Sequence, residues 1–289
     1  MVVSKEDAGK FVDGGFMQDI SKAYQNNQFA DISFVLSDGL VIETNRSMLA
    51  WRSDYFASML FGGLREGNSE KVALQCNSQT FRLILDYIWE GKVDFSQLKV
   101  QSLVDLLESA RMMCLDRLVG GIGEYIKYHL ESGEVEFGES LMLLDFCVSN
   151  KFEEIEKLVL GFVGLNLASL TSNENFSKLS EASILSILKY EERISPEIDV
   201  FNALAIWIKS QVPPVAFSTQ TEMLSLVDLV SISYNNLMKA VRKSGLYGDK
   251  AICDAIEEQV EMENVNLFLE DNGAQVVHGT EEHEGSCIR

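Results

Sequence analysis

Strand-forming alternation occurs in only two short places, both before residue 76, and that confinement most limits what this chain can fold into. In "DISFVLSDGLVIET" (31–44), Ile32, Phe34 and Leu36 alternate with smaller or polar residues, and Asp38-Gly39 is a strong hairpin turn pair. "KVALQ" (71–75) adds one more short strand. Between them, "NRSMLAWRSDYFASMLFGG" (45–63) reads as two short helices, with Ser53 as N-cap of the second and Phe56, Met59 and Leu60 on its buried face. "SQTFRLILDYIWEGKVDF" (78–95) has a cap candidate at Ser78, an apolar stripe at Phe81, Ile84, Leu85 and Ile88, and a stop at Gly91. Helical spacing continues through "VQSLVDLLESARMM" (100–113) and "DRLVGGIGEYIKYHL" (116–130). A few short strands followed by clustered helices make an α+β domain, not an alternating βαβ one. Ahead of it, Phe16, Ile20, Ala23 and Tyr24 mark an amphipathic helix within 9–28.

The polar stretch "ESGEVEFGES" (131–140) is the expected domain boundary. Beyond it every patterned segment is helical, so 134–262 is expected to be an all-helical array. Pro196 suits the first turn of the helix through Ala203 and Trp207, and Pro213-Pro214 separates that helix from the next. From 263 the chain turns polar and acidic, and 263–289 reads as a disordered tail.

Charge narrows the partners. The sequence has 44 acidic against 24 basic residues, a net charge of −20, a field that opposes nucleic acid and anionic membrane surfaces. No stretch approaches the ~20 apolar residues of a membrane span, and "MVVSKEDAGKFVDGGF" lacks the pattern of a secretory signal. Five cysteines, at 76, 114, 147, 253 and 287, form no CxxC. The first four lie in apolar or helical contexts and read as small hydrophobes in a reducing, cytoplasmic compartment. The partners expected are proteins.

Catalytic chemistry is not evident. Of three histidines, His129 ends a helix, and His278 and His283 share the tail with Cys287 without paired metal-ligand spacing. No nucleophile elbow, phosphate-binding loop, dinucleotide fingerprint or zinc-protease motif occurs. Gly120-Gly121-Ile122-Gly123 does not follow a strand and reads as close helix packing or a kink. The pairs Glu153-Glu154 and Glu191-Glu192 splay apart on helices, and "KAVRKSG" is a basic helix end. The expectation is no enzyme, no cofactor and no metal.

The ordered run "FADISFVL", "NRSMLAWRSDYFASML", "VAL" and "TFRLILDYIWEGKVDF", closed by a helical pair ending near Leu130, resembles a BTB (POZ) domain over 29–130. Two departures stand out. Asn45-Arg46 replaces the family's usual His-Arg, and Trp89-Glu90-Gly91 replaces its usual Tyr-Thr-Gly. Residues 134–262 look like the BACK helical domain, most clearly at "DVFNALAIWI". "SGLYGDKAICDAIE" and "NVNLFLEDNGAQVVHG" are similar to BTB–BACK proteins that continue into discoidin-like β-sandwich repeats, so a short isoform or truncated product is expected.

The resemblance implies a docking site. BTB proteins that recruit cullin-3, a ubiquitin-ligase scaffold, use a hydrophobic-x-Glu motif after the third helix, and Leu64-Arg65-Glu66 falls there, with Phe61 just before it. An apolar side chain would fill a partner pocket while the carboxylate accepts directed hydrogen bonds. The alternative is that Leu64 tucks back onto its own domain. The early BACK helices, with Leu141, Leu144, Phe152, Ile155 and Val159, would supply further surface, although most of these must be core. The helix of residues 1–28, through Phe16, Ile20 and Tyr24, either packs on a twin subunit as in BTB homodimers or folds onto its own domain. Two readings remain: a non-enzymatic dimeric cullin-3 adaptor for an unknown substrate protein, or a BTB–BACK scaffold that never engages a cullin.

Overall fold

Phe34, Phe56 and Phe81 are fully buried and meet edge to face, with ring centroids 5.4 to 6.5 Å apart. They come from a strand and two helices that the sequence separates widely, and they mark the centre of the first domain. The computed structural model describes residues 15–133, 135–192 and 194–271, with the backbone alone for 16, 17, 170 and 266–271.

Strand β1 (Ile32–Val35) is central in a three-stranded sheet of order β2-β1-β3. β2 (Val41–Thr44) runs antiparallel to it, with Ile32 opposite Thr44 and Val35 opposite Val41, as the hairpin reading requires. β3 (Lys71–Ala73) pairs parallel, with Phe34 opposite Val72. A parallel partner needs a crossover, and the hairpin return with α2 (Arg46–Arg52) and α3 (Asp54–Phe61) makes it. The caps are local. Asn45 accepts the Met48 N–H, and Ser53 Oγ accepts the Phe56 N–H at 3.2 Å while donating to the Met113 carbonyl at 2.6 Å. Met59 is only half-buried, unlike Phe56 and Leu60.

Helix α4 (Ser78–Glu90) is capped by Asn77, not Ser78. Asn77 Oδ1 accepts the Thr80 N–H at 2.8 Å, and the Ser78 N–H is instead taken by the Asp38 carboxylate at 2.9 Å. The stripe of Phe81, Ile84, Leu85 and Ile88 is buried as expected, and Gly91 ends the helix. α5 (Val100–Met112) and α6 (Asp116–Ser132) complete the domain. His129, in the last turn of α6, lies against Tyr125, 4.2 Å between ring centres.

The glycines of α6 are not there for close packing. A Cβ on Gly120 or Gly121 would meet nothing within 4 Å, and one on Gly123 would reach Ile155 only at an ordinary 3.6 Å. Gly120→Ala and Gly121→Ala are therefore expected to stabilise the domain by about 0.5–1 kcal/mol each, by restricting the unfolded chain. A thermal melt reads this as a rise of about 2–4 °C per kcal/mol. An unchanged or lowered transition in the double variant would contradict it.

Two compact units divide the described residues, one running up to 139 and including 152–155, the other taking 140–151 and the residues from 156 on. Phe152–Ile155 belong to the first unit, where the Arg111 guanidinium sits 4.6 Å from the Phe152 ring centre. Among the described residues no strand follows Ala73. The helices are α7 (Phe137–Asn150), α8 (Glu153–Leu170), α9 (Glu181–Lys189), α10 (Glu197–Ser210) and α11 (Phe217–Ser225). α12 (Tyr234–Asn236) passes through a π-helical turn, Leu237–Val241, into α13 (Arg242–Ser244), and α14 (Asp249–Asp271) follows. In the second unit Trp207 is buried and donates its indole N–H to the Leu179 carbonyl at 2.9 Å. The Asp145 carboxylate accepts the Ser180 N–H and the Ser183 hydroxyl, tying α7 to the start of α9.

Two boundaries are corrected. Pro196 is the N-cap of α10, one position before its first turn, since φ −55° and ψ 143° place it in extended backbone. α14 continues past 262 to Asp271, immediately before the breaker pair Asn272-Gly273 of the sequence. The rest of the tail, including His278, His283 and Cys287, lies outside the described residues.

The cysteine reading also divides. Cys76 and Cys147 are buried, whereas Cys114 and Cys253 are exposed and are not core residues. Burial, with a smaller contribution from the Glu156 charge, pushes the Cys147 thiol up to about 12. Iodoacetamide on the native chain is expected to label Cys114 and Cys253 well before Cys76 and Cys147, as peptide mass spectrometry would show. Equal rates at all four would contradict these placements. No helix among the described residues is long and apolar enough to cross a membrane.

Candidate docking site

The loop after α3 is shaped by backbone that allows few side chains. Gly62 caps α3 through its N–H to the Ser58 carbonyl at 3.0 Å, and a Cβ there would lie 2.3 Å from that same oxygen. Gly63 follows at φ +82°, a left-handed conformation that turns the chain away from the helix. Leu64 is extended, and Arg65–Asn68 forms a single 3-10 turn. The Gly67 N–H donates to the Leu64 carbonyl and the Ser69 N–H to the Glu66 carbonyl, each at 3.1 Å. Ser69 Oγ donates to the Arg65 carbonyl, also at 3.1 Å.

This turn sets out the four residues expected to dock. Phe61 is 62% exposed and Leu64 52% exposed, so Leu64 does not tuck back onto its own domain. Glu66 is half-buried, yet no hydrogen bond or ion pair holds its carboxylate among the described residues. Its charge is felt by Tyr55, whose phenol is pushed above its ordinary value by burial first and by Glu66 second. Arg65 is exposed. Two apolar side chains beside an unengaged carboxylate, on a turn held by its own hydrogen bonds, can present a pocket-filling group and a hydrogen-bond acceptor together.

Helix α1 (Phe16–Gln25) folds onto its own domain. Tyr24 stacks on Trp89, with rings 5.6 Å apart and 15° from parallel, and its hydroxyl donates to Asp86 at 2.8 Å. Ser21 donates to Glu90 at 2.7 Å, and Glu90 also pairs with Lys92 at 2.9 Å. Burial, then the Asp86 hydrogen bond, raises the Tyr24 phenol well above its ordinary value. Trp89 and Glu90, which make up one of the two departures noted in the sequence, both hold α1. Ile20 is half-buried, and the side chain of Phe16 lies outside the described residues.

Leu141, Leu144, Phe152, Ile155 and Val159 are all at most 7% exposed, so they are core, as expected of most of them, and none of the five is left as contact surface. Among the described residues, the large apolar side chains exposed on α7 and α8 are Phe137, Met142 and Leu165. Glu153, Glu154, Glu191 and Glu192 are exposed, as their adjacent spacing implied. Sequence reasoning passed over Arg46, whose guanidinium reaches the docking turn. The only signal was its place in the Asn45-Arg46 pair.

Comparisons with known proteins agree with this architecture. The BTB/POZ domain family model matches residues 20–130, and that of BACK, "BTB And C-terminal Kelch", matches 140–242. The chain is 29% identical over 260 residues to BTB/POZ domain-containing protein 9 of Drosophila melanogaster, covering 88% of this chain and 34% of that protein. It is 29% identical over 266 residues to the Homo sapiens protein of the same name, covering 87% and 42%. The solved BTB domain of human Gigaxonin aligns with 43% of this chain and 96% of its own length, at 25% identity and a TM-score of 0.33. The chain therefore spans between a third and under half of the length of these two curated relatives. With a BTB/POZ domain followed directly by a BACK domain, it belongs to the BTB–BACK family.

Proposed function

We propose that this chain is a non-enzymatic adaptor that docks cullin-3 through the loop after α3, with Leu64 as the apolar anchor and Glu66 as the hydrogen-bond acceptor. Phe61 and Arg65 flank them. The observation that carries this reading is the Glu66 carboxylate, left without a hydrogen bond or ion pair among the described residues, beside the exposed Leu64. A carboxylate that no group of its own domain engages can accept a partner's directed, charge-assisted hydrogen bonds. The adaptor would act in the cytoplasm as a homodimer and carry a substrate protein that nothing in the chain identifies. Because Tyr24 faces its own α4, dimerisation through α1 would fall to Ile20 and Phe16.

The competing reading is a BTB–BACK scaffold that binds other proteins and no cullin. Exposed apolar side chains of the second unit favour it, notably Phe217 at 84% and Tyr234 at 57%. Calorimetric titration of the purified full chain with the cullin-3 amino-terminal domain separates the two. Binding at micromolar Kd or tighter, about −8 kcal/mol or more, supports the adaptor. Absence of binding, with the chain folded and monodisperse, leaves the scaffold.

A further inference from the structure

We infer that Arg46 is a positioning residue for the docking loop: its guanidinium holds the end of the turn that carries Leu64 and Glu66, without itself belonging to the docking surface. Arg46 opens α2, and its backbone N–H donates to Asp31 Oδ1 at 2.8 Å. Its side chain then makes three bonds to backbone carbonyls. Nε donates to Asp31 at 3.3 Å, Nη1 to Gly67 at 3.0 Å, and Nη2 to Ser69. One planar group thus joins the residue entering β1, the start of α2 and the last turn of the docking loop.

The choice of residue follows from those acceptors. Three carbonyls in a fixed array need donors in a fixed fork, which guanidinium provides and a lysine ammonium does not. Gly67 and Ser69 are also the residues whose N–H groups close the turn onto Leu64 and Glu66, so fixing their carbonyls fixes the turn from its far side. Gly67 is pressed against α3 there: a Cβ would stand 2.8 Å from the Leu60 carbonyl. A loop already ordered before binding loses less conformational entropy on docking, and that difference adds to affinity.

This inference rests on the cullin reading for its consequence, but not for its mechanism. The test compares Arg46→Lys and Arg46→Gln in the full chain, by calorimetry with the cullin-3 amino-terminal domain and by hydrogen exchange of the peptide covering 62–70. Faster exchange in that peptide alone, an unchanged melting transition, and affinity lower by about fivefold to tenfold are expected of both. A merely structural arginine would instead lower the transition and speed exchange across β1 and α4 as well. Wild-type affinity in Arg46→Lys, or unchanged exchange at 62–70, overturns the inference while leaving the adaptor reading intact. If the unaltered chain binds no cullin, the adaptor reading falls. Exchange at 62–70 then decides alone: faster in Arg46→Lys upholds the clamp, and unchanged removes it.

Discussion

Leu64→Asp is expected to weaken binding of the cullin-3 amino-terminal domain by at least about a hundredfold, with the melting transition of the chain unmoved. Burying a leucine contributes about 1.5–3 kcal/mol relative to leaving it in water, and an aspartate in the same pocket adds the penalty of an unpaired charge. Glu66→Ala removes charge-assisted hydrogen bonds of about 1.5–3 kcal/mol, a loss of roughly ten- to a hundredfold. Neither change should disturb folding. Leu64 is half exposed and the Glu66 carboxylate has no hydrogen bond or ion pair among the described residues to lose, so both resemble surface substitutions, within about 0.5 kcal/mol. Calorimetry beside a thermal melt of each variant makes the comparison. Full affinity in Leu64→Asp would show that the cullin, if bound, docks elsewhere.

How much of this was legible in the sequence depends on how far apart the deciding groups lie. The hairpin was legible because Ile32, Phe34 and Leu36 alternate and Asp38-Gly39 is a local turn signal. Ser53 was legible as a cap because its acceptor role is completed three residues on, at Phe56. The cap of α4 was not, because Asn77 and Ser78 are both good cap residues. The choice was made by Asp38, forty residues earlier, which takes the Ser78 N–H. Arg46 was hidden for a related reason. Its reach to Gly67 and Ser69 exists because β3 lies parallel beside β1, a pairing that strand patterns alone do not specify. In α7 and α8, spacing marks Leu141, Leu144, Ile155 and Val159 as mostly core without telling which a neighbour covers, and the structure covers all four. The place of Leu64 and Glu66 came from family resemblance, and what geometry added was their exposure and the open carboxylate.

Phe56→Ala is expected to lower the stability of the first unit by about 3–5 kcal/mol, the largest effect anticipated for any single truncation here. Phe56 is fully buried, with its ring 5.8 Å from Phe34, 6.5 Å from Phe81 and 5.2 Å from Tyr55. Truncation removes its apolar contacts and leaves a cavity that rigid aromatic neighbours fill poorly. Domains of this kind hold only about 5–15 kcal/mol in total, so a substantial part of the population would unfold near body temperature. The loop would go with it, since Gly62 and Gly67 both lie against the carbonyls of α3. Loss of cullin binding in Phe56→Ala should therefore track the unfolded fraction and recover on cooling. In Leu64→Asp it should persist at every temperature at which the chain is folded. Paired melting and binding curves distinguish a lost contact from a lost fold. A Phe56→Ala chain that melts like the parent would mean that the three phenylalanines do not form the core on which the docking loop is mounted.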